Sequence, residues 1–280
     1  MPPPLTAEEF SQKISDQIKS LPTLPNTALT LRETLADPNC DFHDILPNLA
    51  RDPGLSADLI RLANSPFYGQ CGRVETIRDA VLALGMLNLS NFILVAYSNK
   101  IVHSRFGRLK NLSGYFNHSS KVSGAAYFIA KASGASLKDQ EVCKLGGLLH
   151  NIGRLVIAVA AEQWTTPLDN MTPEDRPRPE NPEFLWFDAC EVGMRVCRKW
   201  NFPETLAEGI GRHHTPVKGD DVNYVALIIY LSEFLIIENL PISVIISDFA
   251  PDLLLRLNLS ESILKKARED YLHGLQTAAL

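Results

Sequence analysis

Gly146-Gly147-Leu148-Leu149-His150-Asn151-Ile152-Gly153-Arg154 joins a glycine pair and an apolar run to a histidine, and the architecture of the chain can be inferred from it. It reads as an apolar helix that ends on a histidine followed by an amide. A His-Asp pair at this place would supply imidazole and carboxylate, both suited to a divalent first-row ion. Asn151 keeps the size of Asp and loses its charge. The Gly146-Gly147 pair follows no strand and so forms no dinucleotide-binding loop; close helix packing is its better reading.

Outward from this stretch almost every apolar run repeats at helical spacing, and strand-like alternation is scarce. Ser136 opens the helix, which the pattern carries through Leu148 and His150 to Ile157. Gly134 closes the helix before it, over about 113–133, with His118, Val122, Ala125, Ala126 and Ile129 along it. Downstream, prolines 167, 173, 177, 179 and 182 mark a loop over about 166–182. Helices resume over about 184–200, 204–212, 222–238 and 259–272.

Upstream, Thr6 with Glu9 forms a capping-box pattern ahead of Phe10, Ile14, Ile18 and Leu21. Leu21-Pro22-Thr23-Leu24-Pro25 interrupts, because each proline disfavours helix in its predecessor. Ala28, Leu31 and Leu35 mark a second helix, Asp41 caps a third, and Asp52 with Pro53 starts a fourth. Thr76 caps a fifth, and Gly85 to Leu89 bends into a sixth over 92–102. The expected fold class is all-α. The expected domains are an N-terminal helical bundle, 1–107, packed on a second helical domain, 108–280.

A chain of 280 residues with 45% hydrophobic and 21% charged residues is built for a packed core. The net charge of −5, without long basic runs, argues against a nucleic-acid groove or an anionic membrane surface as partner. The five cysteines form no CxxC pair, which fits reduced, mostly buried thiols in a cytoplasmic protein. Cys190 and Cys197 lie two helical turns apart, about 10 Å, too far for a disulfide. The N-terminus has no signal-peptide pattern. The apolar run from Val225 to Ile237 is too short to span a bilayer.

Of the seven histidines, His118, His150 and the pair His213-His214 fall in notable places. A lone histidine on an apolar helix is more often a hydrogen-bonded core residue than a ligand. Their distribution over separate helices strengthens the case, since bundles build metal sites from inward-facing side chains on different helices. Ser119-Ser120 lacks the elbow and acid-oriented base that a nucleophile needs. Phe67-Tyr68-Gly69 is either a partner-facing aromatic loop or packing against the fifth helix. Trp164, Trp186 and Trp200 read as core or interface anchors.

These residues carry a family resemblance. His118-Ser119, then Gly147-Leu148-Leu149-His150-Asn151-Ile152-Gly153, then His213-His214 look like the HD superfamily of metal-dependent phosphohydrolases. The run Asp52-Pro53-Gly54-Leu55-Ser56-Ala57-Asp58-Leu59 to Asn64-Ser65-Pro66-Phe67-Tyr68-Gly69 is more specific. With Leu21-Pro22-Thr23-Leu24-Pro25, Ile77-Arg78-Asp79-Ala80, and Trp200-Asn201-Phe202-Pro203, it resembles the HDOD family over about 21–238. That family is all-helical, often found in bacterial signalling proteins, and regarded as degenerate relatives of the hydrolases; the resemblance makes 108–280 an HD-like domain.

The resemblance implies a metal set of His118, His150, Asn151 at the acid's place, and Glu233 where an Asp would fall. A further histidine of dinuclear relatives would stand at Ala189 and is absent. His213 and His214 are retained as candidate ligand-binding residues. Losing a metal-bound carboxylate should cost more than the 10–100-fold typical of outer-shell partners. The resulting expectation is a vestigial site with no catalytic residues and no required cofactor, holding at most a weakly bound divalent metal. The chain then reads as a non-catalytic signalling module that binds protein partners or a small phosphate-containing ligand. The alternatives are a metal-dependent phosphohydrolase and a nucleotide sensor that does not cut.

Overall fold

The computed structural model describes residues 7–37, 40–64, 74–107, 109, 112–161 and 188–278. The proline-rich segment 166–182, the Phe67-Tyr68-Gly69 loop, Trp164, Trp186 and the Thr6 cap lie outside them. Fourteen helices and one two-stranded hairpin are described, so the fold class is all-α as expected.

The helices begin where the sequence supplies caps. Asp41 accepts from the backbone N–H of His43 and Asp44 at 2.7 and 3.3 Å and opens α3 (Phe42–Ala50). Asp52, followed by Pro53, opens α4 (Pro53–Ala63) by accepting from Leu55 N at 2.9 Å. Asp52 also accepts from Lys100 Nζ at 2.9 Å and Tyr97 Oη at 3.2 Å, so this carboxylate fixes α4 to α5 (Ile77–Phe106). Asn64, at the end of α4, exchanges two hydrogen bonds with the backbone of Val74, at 2.8 and 3.0 Å. The most specific segment of the sequence therefore owes two of its polar residues to architecture. Gly85 sits at φ 75° and ψ 163° and kinks α5 at the expected bend, a conformation that favours glycine.

The chain forms two units. One combines α2 (Asn26–Ala36), α3, α4 and most of α5 with the last part of α14 (Glu261–Ala278). The other holds α1 (Ala7–Ser20) and the described residues from Arg105 to Glu269. The grouping differs from a division in chain order at 107/108. α1 packs on α8 (Ile152–Ala161) and α9 (Ala189–Lys199), because Ile14 and Ile18 bury an apolar stripe that a lone amphipathic helix could not cover.

Within the larger unit, α6 (Leu112–Ala132) packs lengthwise on α7 (Leu137–Leu149) and α11 (Tyr224–Leu235). The glycine pair makes this possible, as expected. A Cβ on Gly147 would stand 2.9 Å from the backbone of Ser123, and one on Gly146 would stand 2.8 Å from Ile229 Cδ1. α9 packs on α8 and on α10 (Glu204–Gly211), and α10 packs on α11. A hairpin of β1 (Val217–Lys218) and β2 (Asp221–Val222) follows α10. α12 (Ile242–Ile246) and α13 (Pro251–Arg256) are short helices that the sequence pattern does not announce.

One expectation is corrected. The long apolar helix from Ser136 through Ile157 is two helices, α7 and α8, separated at His150-Asn151. The stretch Leu137–Ala160 is long and apolar enough to cross a bilayer, but 78% of its most apolar window is buried within the protein. It is a core element, and the break in it places the histidine.

Candidate metal centre

Each functional side chain is fixed by its position on an element. His118 lies in the middle of α6 and is half-buried. His150 caps the C-terminus of α7 at 1% exposure, and its Nδ1 donates to the carbonyl of Gly147 at 2.8 Å. Glu233 sits on α11 at 7% exposure. The three converge. His118 Nε2 lies 3.3 Å from His150 Nε2, and His150 Nε2 lies 3.4 Å from Glu233 Oε1.

This geometry makes a chemical demand. A carbonyl can only accept, so His150 Nδ1 carries a hydrogen, and Nε2 is the atom left to face the other two groups. That nitrogen faces a carboxylate oxygen and a second imidazole nitrogen, and a proton or a metal ion among the three would be held by all of them. One ligand atom from each of His118, His150 and Glu233 lies within 4.8 Å of the others, a donor set of two imidazoles and one carboxylate that fits a first-row divalent ion.

The electrostatics keep the donors ready. The His118 imidazole is pushed down from 6.5 to about 4, by burial first and by the neighbouring charge of His150 second. Glu233 draws it the other way, while Arg154 and Lys121 lower it further. Burial alone would raise the Glu233 carboxyl. The hydrogen bond and charge of His150, helped by His213 and His214, outweigh it and hold the carboxyl well below its usual range. The site therefore presents a neutral His118 and an ionised Glu233 near neutral pH.

Asn151 follows immediately, at 3% exposure in the junction before α8, and its carbonyl accepts from Arg154 N at 3.0 Å. It sits where a charged ligand would be expected and brings none. Ala189, at the start of α9, lies against Gly153. A Cβ on Gly153 would come within 2.0 Å of the Ala189 carbonyl oxygen. Ser119 is fully buried, next to the Tyr115 hydroxyl.

His213 and His214 do not join the first three; they form a neighbouring group. His213 is 1% exposed, donates from Nδ1 to the carbonyl of Ile210 at 2.7 Å, and turns Nε2 toward Cys190 Sγ at 3.9 Å. Cys190 is buried in the first turn of α9, where its N–H donates to Asp188 at 2.8 Å. One ligand atom from each of Cys190, His213 and His214 lies within 4.8 Å of the others. The rings of His150 and His213 meet edge to face at 5.2 Å, so the two groups share a wall. His213 is held well below its ordinary value, by burial first and the charge of His214 second. Burial first, then the charge of Asp188, pushes the Cys190 thiol up, against the pull of Arg154 and the His214 backbone N–H.

Sequence reasoning missed Cys190. The available signal was its place one residue after Ala189, where dinuclear relatives would carry a histidine. The other described cysteines, Cys40, Cys143 and Cys197, are also free.

The HDOD domain family profile matches residues 21–216. A protein of Treponema pallidum (strain Nichols), of uncharacterized function, is 28% identical over 210 residues, which is 74% of this chain and 40% of that protein. The chain thus spans about two-fifths of the length of that curated relative. Among solved structures, an HDOD domain protein of unknown function from Geobacter sulfurreducens superposes with a TM-score of 0.67 at 21% identity, covering 98% of this chain and 97% of that one. A candidate phosphohydrolase from Shewanella amazonensis SB2B gives 0.64 at 22% identity, over 95% and 97% of the two chains. A candidate signal transduction protein from Marinobacter aquaeolei VT8 gives 0.65 at 16% identity, over 97% and 64%.

Proposed function

We propose that this chain, which belongs to the HDOD family, works in the cytoplasm as a non-catalytic signalling module that acts by being bound. Its candidate input is the pocket of His118, His150 and Glu233, with a weakly held divalent cation or a proton completing it. The output is to protein partners, or the pocket takes up a small phosphate-containing ligand. The observation that carries this reading is Asn151. With an amide there, Glu233 supplies the only carboxylate of the group around His150, and a dication loses both charge balance and an acceptor for the proton of an attacking water. Arg154 and Lys121 lie near enough to act on His118, which favours an anionic ligand. A fold shared with the Marinobacter signal transduction candidate is consistent with this role.

The test is a metal-loaded, full-length sample incubated with nucleotides and cyclic dinucleotides while both heat and product are followed. Saturable heat without turnover is the expected result, and turnover at enzyme-like rates that disappears in His150→Ala defeats the reading.

A metal-dependent phosphohydrolase is the second reading. The Nε2 of His150 facing Glu233 at 3.4 Å supports it, because an imidazole nitrogen beside a carboxylate suits a bound cation. A stoichiometric first-row metal, lost together with phosphoester cleavage on His118→Ala, favours it over the first.

A further inference from the structure

We propose that Cys190, His213 and His214 form a second metal site, separate from the His118–His150–Glu233 pocket and selective for soft or borderline ions such as zinc. The donor atoms make the distinction. The first group offers two imidazole nitrogens and an oxygen, whereas this one offers a sulfur and two nitrogens, and thiolate ligation favours Zn(II) and Cu(I) over Mg(II) or Mn(II).

Three features show that these side chains are held for ligation. The bond from His213 Nδ1 to the Ile210 carbonyl fixes the tautomer and leaves Nε2 as the donor atom. That nitrogen lies 3.9 Å from Cys190 Sγ. Ligand bonds of about 2.3 Å for sulfur and about 2.0–2.1 Å for nitrogen, at a tetrahedral angle, require about 3.6 Å, a small adjustment. The Asp188 cap fixes the first turn of α9, from which Cys190 projects, and the His214 backbone N–H contributes a hydrogen bond to the sulfur. The rings of His213 and His214 stack at 4.2 Å with a 58° tilt, which sets the third donor beside the second.

Binding exchanges the thiol proton for the ion: the S–H bond breaks, a metal–sulfur bond forms, and one proton passes to solvent for each ion taken up. His214 is the half-exposed member of the group, so the ion has a side open to solvent and a fourth position for water or a small ligand.

Ala189 has no ligand atom to offer, and its carbonyl oxygen lies 2.0 Å from where a Cβ on Gly153 would stand, so the backbones of α8 and α9 meet there. The ligand comes instead from the next residue, turned about 100° around the helix toward His213.

The test uses the full-length chain, stripped of metal, reduced and titrated with Co(II). A sulfur-to-cobalt charge-transfer band in the near ultraviolet should grow to one equivalent, with one proton released per ion. The band should persist in Cys197→Ser. It should vanish in Cys190→Ser, with zinc affinity at this site down more than 100-fold by chelator competition. Absence of the band in the wild-type chain, or its survival in Cys190→Ser, overturns the proposal. Should Cys190→Ser not fold, the milder His214→Gln serves: an unchanged band and affinity there also overturn it. The band reports ligation by sulfur alone, so failure of the role proposed for the first pocket leaves this outcome unaffected.

Discussion

The two ligand groups of the larger unit differ in what meets their buried histidine, an anionic oxygen in one and a thiol in the other. Around His150 the nitrogen Nε2 faces a carboxylate oxygen at 3.4 Å and a second imidazole nitrogen at 3.3 Å. Around His213 the equivalent nitrogen faces a thiol, whose own hydrogen bridges the gap. Both histidines use the same device, an Nδ1–H bonded to the carbonyl three residues earlier. The difference lies wholly in what the free nitrogen meets. The first group is poised to take up a cation, and the second must give up a proton before it can do so.

The largest effect that sharpens this contrast is steric. Gly153→Ala would drive a Cβ to 2.0 Å from the Ala189 carbonyl and 2.6 Å from Gly193 N. Backbone lies on both sides and cannot rotate away, so we expect a loss of about 3 kcal/mol or more in chemical denaturation. The start of α9 should shift with it, weakening the cobalt band more than the ion in the first pocket.

Glu233→Gln follows, with an expected loss of divalent affinity at the first pocket of more than about 100-fold, beyond the range for disturbed outer-shell partners. Chelator competition measures it. Equal losses at both groups would erase the distinction between them. Asn151→Asp should work in the opposite direction and tighten that pocket about 10-fold or more, or about 1.4 kcal/mol. No gain would mean that position 151 does not reach the ion.

The pH dependence is gentler. In metal-free protein the His118 imidazole titrates near 4 when folded and near 6.5 when unfolded. On acidification the unfolded chain takes its proton first, so stability is full above about pH 6.5 and declines as the pH falls toward 4. Glu233 is held below its ordinary 4.5, and its contribution, present above that pH, is lost at still lower pH with the same sign. Melting temperatures of His118→Gln should show a shallower slope between pH 6.5 and 4 than the parent chain. An identical slope would mean that the histidine is not buried against charge as described. The smallest change is expected from Cys197→Ser, a buried cysteine outside both groups, which should lower stability modestly and leave both metal affinities alone.

Much of the fold was legible because its signals are local. Asp41, Asp52, Thr76 and Ser136 each accept from a backbone N–H of the helix they precede, and Gly85 bends α5 where its freedom is needed. The break between α7 and α8 was not legible, since apolar residues continue at helical spacing through it and only tertiary packing decides that His150 turns out of the ladder. Of the candidate site, His118, His150 and Glu233 met as the family pattern implied, because that pattern encodes their helices' packing. The partition of His213 and His214 into a group with Cys190 could not be read from spacing: 23 residues and a helix–loop–helix path separate sulfur from nitrogen.

The interruption at His150-Asn151 has a consequence for how the nascent chain is handled. Every 18-residue window within Leu137–Ala160 contains both residues, and they lower a hydropathy that reaches 1.4 even so. A pair of leucines there would give the translocation machinery a stretch about 36 Å long to mistake for an anchor. With the pair in place the stretch is still long and apolar enough to span, so the packing that buries it also decides which apolar surroundings it meets, and the same packing holds His150 in its pocket.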